Sequence, residues 1–137
     1  PYINGLIQRT WRTLGESPFT TLEESGLNDE FSEYAFQIAV YILYKTWKKA
    51  GNNIPFTKIF HKLPDLSHLR RFGCHVFSVL RHLQRSKTRG IATKGIFVGY
   101  SSHSSSCVIY NLLKNTVHDS RRVQFDEQFT GSISDLK

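Results

Sequence analysis

The sequence predicts an α+β fold, with helices first and a small β-barrel after, and three observations predict it. Apolar residues recur at helical spacing up to about residue 69. Beyond residue 70 they fall in short alternating runs broken by turn residues. The charge changes at the same place. Residues 1–69 hold seven Lys/Arg and seven Asp/Glu, whereas residues 70–137 hold eleven and four, so the whole net charge of +7 sits in the second part.

In chain order, Asn4 can cap a first helix through its side-chain oxygen. Leu6, Ile7, Thr10, Trp11 and Leu14 then share one stripe, with Gln8, Arg9 and Arg12 off it, toward solvent or a ligand. Gly15 and Ser17-Pro18 are expected to end or kink this helix, because proline has no amide hydrogen and clashes with the preceding turn. A weaker segment from Phe19 to Ser25 closes at Gly26. The strongest helix is expected from about Asn28 to Lys48, with Phe31, Ala35, Ile38, Ala39, Ile42 and Leu43 as its core stripe. Its acids Asp29, Glu30 and Glu33 come early and Lys45, Lys48 and Lys49 come late, as the helix dipole prefers. Gly51-Asn52-Asn53 stops it, and Pro55 opens a short helix through Phe56, Ile59 and Phe60 that ends at Pro64-Asp65.

Strands are expected at His75–Leu80, at Gly95–Tyr100 between glycines, at Cys107–Leu112, and at Thr116–Phe125 after a turn at Lys114-Asn115. Several short strands at close spacing suggest a small barrel. Ser101–Ser106 reads as a polar loop, and the tail from residue 129 to 137 as disordered.

Composition narrows the function. With 39% hydrophobic and 13% aromatic residues a packed core is available. No apolar run approaches the roughly 20 residues of a membrane helix, so no membrane partner is expected. The opening Pro-Tyr-Ile-Asn-Gly is no secretory signal, which points to an intracellular protein, nuclear or cytoplasmic. The sequence has no Met, so a fragment of a longer chain is expected. Cys74 and Cys107 are too few for a disulfide framework and read as reduced, buried thiols.

Two-metal chemistry on phosphates needs converging carboxylates. Glu16, Glu23, Glu24, Asp29, Glu30, Glu33 and Asp65 instead occupy helix starts, solvent faces or turns. His68, His75 and His82 repeat every seven residues, but the Phe72-Gly73 break argues against one helix, and no tight Cys or His pair marks zinc. Cys74 and His75 are neighbours on a strand and point to opposite faces, which is poor geometry for a nucleophile and its base. The feature that remains is the basic run Arg70, Arg71, Arg81, Arg85, Lys87, Arg89 and Lys94, with no acid between its ends. Such a run is the footprint of a polyanion partner, or else a solvated face. Trp11, Trp47, Tyr100 and Tyr110 are candidates for stacking on bases or for the core.

Further residues carry a resemblance. They are Asn4-Gly5-Leu6-Ile7-Gln8-Arg9, Ala39-Val40-Tyr41-Ile42-Leu43 and Ile54-Pro55-Phe56, then Leu66-Ser67-His68-Leu69-Arg70-Arg71-Phe72-Gly73-Cys74. Gly95–Tyr100 and Ser120-Arg121-Arg122-Val123-Gln124-Phe125 follow in order. Together they resemble the integrase region of copia-type retrotransposon Pol polyproteins. The resemblance implies that residues 1–62 are the C-terminal helices of an RNase H-like integrase core, 63–69 a linker and 70–128 an SH3-like β-barrel. In that family two Asp and one Glu bind Mg or Mn ions, and element DNA is inserted into a target. The family's Glu position is Gln8 here, and a neutral amide supplies no charge to a metal pair. The implied function is a catalytically inert integrase piece that keeps nonspecific DNA or RNA backbone binding and needs no cofactor of its own. Its nucleic-acid residues would be Arg9, Arg12, Arg70, Arg71, Arg81, Arg85, Lys87, Arg89 and Lys94. Self-association through the exposed helical face is a further expectation. The alternatives are a protein-interaction module, or a half-site completed by another polypeptide.

Overall fold

The computed structural model describes residues 16–46, 54–79, 92–102 and 105–130. Residues 16–25 form helix α1, which ends where Gly26 turns left-handed (φ 69°) and its N–H bonds to the Leu22 carbonyl at 3.0 Å. Closure at Gly26 is as the sequence predicts; Ser17-Pro18, expected with Gly15 to end or kink the first helix, lie in the first turn described of α1, and residues 1–15 with that first helix lie outside the described residues.

Asn28 is extended, so the next segment opens as a 3-10 turn over Asp29–Phe31 and becomes helix α2 only at Ser32–Lys45. It stops short of the expected Lys48. The backbone of Thr46 is extended, and its N–H closes the last turn on the Ile42 carbonyl at 2.9 Å. Phe31, Ala35, Ile38 and Ala39 are buried as the stripe predicts. Helix α3, Pro55–Phe60, starts on its proline and ends at His61, whose left-handed backbone (φ 53°) stops it before Pro64.

Among the described residues five strands follow: β1 Cys74–Val79, β2 Ala92–Tyr100, β3 Cys107–Asn111, β4 Thr116–Ser120 and β5 Val123–Thr130. The single strand expected over Thr116–Phe125 is therefore two, divided at Arg121-Arg122. Strand β5 also runs through Phe129 and Thr130, into the expected tail; residues 131–137 lie outside the described residues. All pairings are antiparallel, in the order β4-β3-β2-β1-β5.

That order forces curvature. Laid flat, β4 and β5 would stand four spacings apart, about 19 Å. Only Arg121 and Arg122 join them, and three Cα steps reach about 11 Å. The sheet must therefore roll until its two edges approach. A contact across the roll agrees: Ser78 Oγ of β1 lies 3.3 Å from His118 Nε2 of β4.

One core joins helices and sheet. Leu22, Leu27, Phe31, Ala35 and Ile38 pack with Phe72, Cys74, Val76, Ile96, Phe97, Val98 and Ile109. The Phe31 ring meets Tyr110 edge-on at 5.0 Å. Gly73, left-handed at φ 76°, brings the chain against α1, where an added Cβ would lie 2.6 Å from Ser25 Cβ. Its N–H bonds to the Phe97 carbonyl at 2.9 Å. Gly95 has a similar reason: a Cβ there would meet the Tyr110 carbonyl of β3 at 2.7 Å.

Candidate nucleic-acid interface

The block Leu66–Cys74 is built as a lock between helix α2 and the barrel. His68 is held between two tyrosines: Tyr41 Oη lies 2.6 Å from its Nε2, and its ring is edge-on to both Tyr41 and Tyr100. Lys45 Nζ donates to Tyr41 Oη at 2.7 Å and sits 4.3 Å from that ring's centre. Tyr100 stacks on Tyr41 at 4.7 Å, accepts from the Arg70 backbone N–H at 2.8 Å and donates to the His68 carbonyl at 3.3 Å. Burial of its phenol pushes the Tyr100 pKa up to about 12, because the charged phenolate would lose water. Asp65 starts the block with an Asx turn, accepting from the Ser67 N–H at 2.9 Å, and hydrogen bonds from Ser67 hold its carboxyl below the usual value.

Arg70 belongs to this lock. Its Nε lies 3.6 Å from Glu127 Oε1, its Nη1 reaches the carbonyls of Ser67 and Leu69, and its guanidinium lies over the Phe125 ring at 5.4 Å. Much of its charge is thus already committed within the fold. Arg71 is exposed at the entrance to β1. Lys94 is half-buried on β2, opposite Phe77 near the far end of β1, so the structure does not gather it with Arg70 and Arg71. Gln8, Arg9, Arg12, Arg81, Arg85, Lys87 and Arg89, with Trp11 and Trp47, lie outside the described residues.

The ends of the segment carrying the basic run are nevertheless fixed. The chain leaves β1 at Val79 and enters β2 at Ala92, and these two residues are paired. Val79 N–H donates to the Arg122 carbonyl at 3.1 Å, and Ser120 Oγ donates to the same oxygen at 3.3 Å. The Arg121-Arg122 connection is therefore held beside the point where residues 80–91 depart. Both arginines are exposed, with Asp119 the nearest acid in sequence. Neither is among the residues that the basic run singles out. The signal for them is their place between two strands in the Ser120–Phe125 block, which becomes visible only once that block is seen to bend.

Tyr100 and Tyr110 pack on protein rings and are core residues rather than stacking platforms. Both thiols are free; Cys74 is buried as expected, whereas Cys107 is only half-buried. Burial pushes Cys74 up to about 12 and raises Cys107 as well, so neither is an activated nucleophile. Among the described residues no three His, Cys, Asp or Glu side chains converge to hold a metal ion. Among them also, no helix is long and apolar enough to cross a membrane.

Residues 74–136 match the retroviral polymerase SH3-like domain. Over 129 residues, 93% of the chain, the sequence is 31% identical to the Retrovirus-related Pol polyprotein from transposon RE2 of Arabidopsis thaliana. It is 31% identical over 128 residues to that from transposon RE1 of the same plant. The similarity to the polyprotein from transposon TNT 1-94 of Nicotiana tabacum is 28% over 137 residues, 99% of the chain. The chain spans only 9% to 10% of the length of these relatives. No solved structure matches it.

Proposed function

From a chain that belongs with copia-type retrotransposon Pol polyproteins, and whose residues 74–136 are a retroviral polymerase SH3-like domain, we propose a nonspecific grip on the nucleic-acid phosphate backbone, without catalysis by this piece alone. One observation carries the reading. The whole +7 excess lies after residue 69, and among the described residues there Arg71, Lys114, Arg121 and Arg122 stand exposed, while the one ion pair takes up Arg70. Such charge neutralises phosphates without reading bases. The absence of catalysis rests on Gln8, which stands where the resembled family has a metal-binding Glu.

The test is binding of the chain to labelled DNA across a salt series. Affinity should fall steeply as salt rises, because each phosphate contact releases a counterion. Replacing Arg81, Arg85, Lys87 and Arg89 together by Glu should abolish binding. A flat salt dependence counts against phosphate contact, and unchanged binding in the charge-reversed variant rejects that location. Incubation of the chain with magnesium and an oligonucleotide should leave the oligonucleotide uncut and unjoined.

Phe36 and Val40, one turn apart on α2, and Ile59 and Phe60 on α3 are exposed apolar side chains that favour a second reading, a protein-interaction or self-association face. A partner retained after nuclease treatment, with no DNA binding by the chain itself, would select that reading.

A further inference from the structure

Strands β2, β1 and β5 carry a cross-strand row that the charge reading does not use. Phe77 on β1 is paired with Lys94 of β2 on one side and Gln124 of β5 on the other. Directly paired residues project from the same face of a sheet. Val76 and Ser78, the neighbours of Phe77, point into the barrel and are buried at 0% and 2%, whereas Phe77 is 37% exposed. Two residues before Gln124, in the connection that leads into β5, stands exposed Arg122, its carbonyl bound to the Val79 N–H.

The other aromatic rings of the strands are already engaged. Phe97 meets Tyr100 and Phe125, Tyr110 meets Phe31, Tyr100 meets Tyr41, and Phe129 stacks on His75 at 6.0 Å. Among the described residues of the five strands, Phe77 is the aromatic with no ring or cation packed on it. Its backbone is hydrogen-bonded to strands on both sides, so the ring is presented on a rigid support. A cation lies beside it on one strand, an amide lies beside it on the other, and a second cation stands in the connection just before that strand.

We propose that Phe77 is a stacking platform for an unpaired base, with Lys94 and Arg122 taking the flanking phosphates and Gln124 meeting a base edge. The partner class is then single-stranded nucleic acid. A base inside a duplex has both faces covered by its neighbours and cannot lie on the ring, whereas an unpaired base offers a free face. Asp126, two residues beyond Gln124 and paired with His75, is an acid on the same face of β5, on the side of Gln124 away from Arg122. This inference rests on the nucleic-acid reading given above.

The experiment compares a labelled oligothymidylate single strand with a duplex of equal length, at one salt concentration, on the full 137-residue chain. Phe77→Ala should weaken single-strand binding by roughly 5- to 100-fold and change duplex binding less than about twofold. Phe77→Trp should restore single-strand affinity, and Phe77→Leu, apolar but without a π face, should behave like alanine. Replacing Lys94 and Arg122 together by Gln should lower the magnitude of the single-strand salt slope by roughly 1.4. Equal binding by the Ala variant and the parent, or full affinity in the Leu variant, overturns the stacking role while leaving backbone binding in place. A parent chain that binds neither probe overturns both readings. Because Phe77 faces outward, each variant should keep the parent's circular dichroism spectrum and melting temperature.

Discussion

Gly73→Ala tests the junction between helix α1 and the barrel. The residue is left-handed at φ 76°, a conformation that costs a side-chain-bearing residue about 1–2 kcal/mol. The new methyl would also stand 2.6 Å from Ser25 Cβ and 3.3 Å from Leu27 Cδ1, inside van der Waals contact on a buried helix end. Overpacking of that kind costs about 1–3 kcal/mol. The sum, about 2–5 kcal/mol, should appear in urea unfolding as a lower midpoint with little change in slope, and as a fall in Tm on the order of 10 °C. The two parts can be separated. Ser25→Gly removes the atom that the methyl strikes, so in that background Gly73→Ala should recover the overpacking part, about 1–3 kcal/mol, and keep the backbone part. A loss below about 0.5 kcal/mol in the single variant, or additive single and double variants, would refute the geometry.

Three further outcomes follow from the titrating groups. Cys74 is buried with its thiol at about 12, so iodoacetamide at pH 8 should label it far more slowly in the native chain than in urea; equal rates would contradict the burial. The same shift gives an alkaline limb. The folded state holds the Cys74 proton from the ordinary value of 9.0 up to about 12, and that of Tyr100 from 10.0 to about 12. Their contribution to stability is whole below pH 9 and is lost between pH 9 and 12, a loss that Cys74→Ala should shrink. His118 runs the other way. Burial lowers its pKa, so the unfolded chain takes its proton first and the contribution is present above about pH 6.5 and lost as the pH falls. His118→Asn should flatten unfolding free energy against pH in that range, and an unchanged slope would show that the imidazole is solvated.

Most elements were legible because each carries a strong local signal. The α2 stripe has helical spacing, Pro55 opens α3, and Gly26 ends α1. The merged strand over Thr116–Phe125 shows what such signals miss. Five polar residues, His118 to Arg122, run through the corner with no glycine or proline to mark it. The bend exists because two sheet edges must meet, which is a property of the whole pairing order. The interface was legible in charge but not in placement. Arg70 belongs to the basic run by sequence and to the Glu127 and Phe125 contacts by structure. Phe77 and Val76 are equally apolar, and alternation says only that they face opposite ways. Which face is inside depends on where α2 lies, and tertiary packing alone decides that.

The two-residue connection between β4 and β5 also sets an order of events. Phe125 pairs with Val76, a partner that precedes it by 49 residues, so the last strand is needed to complete a sheet that the first one begins. A growing chain that has not yet delivered Val123 holds β1 with one edge bare, ready to pair with a neighbouring nascent chain. Translation of this stretch therefore has a vulnerable interval that ends only when β5 is complete, and a truncation upstream of Val123 should yield inclusion bodies rather than a smaller soluble domain.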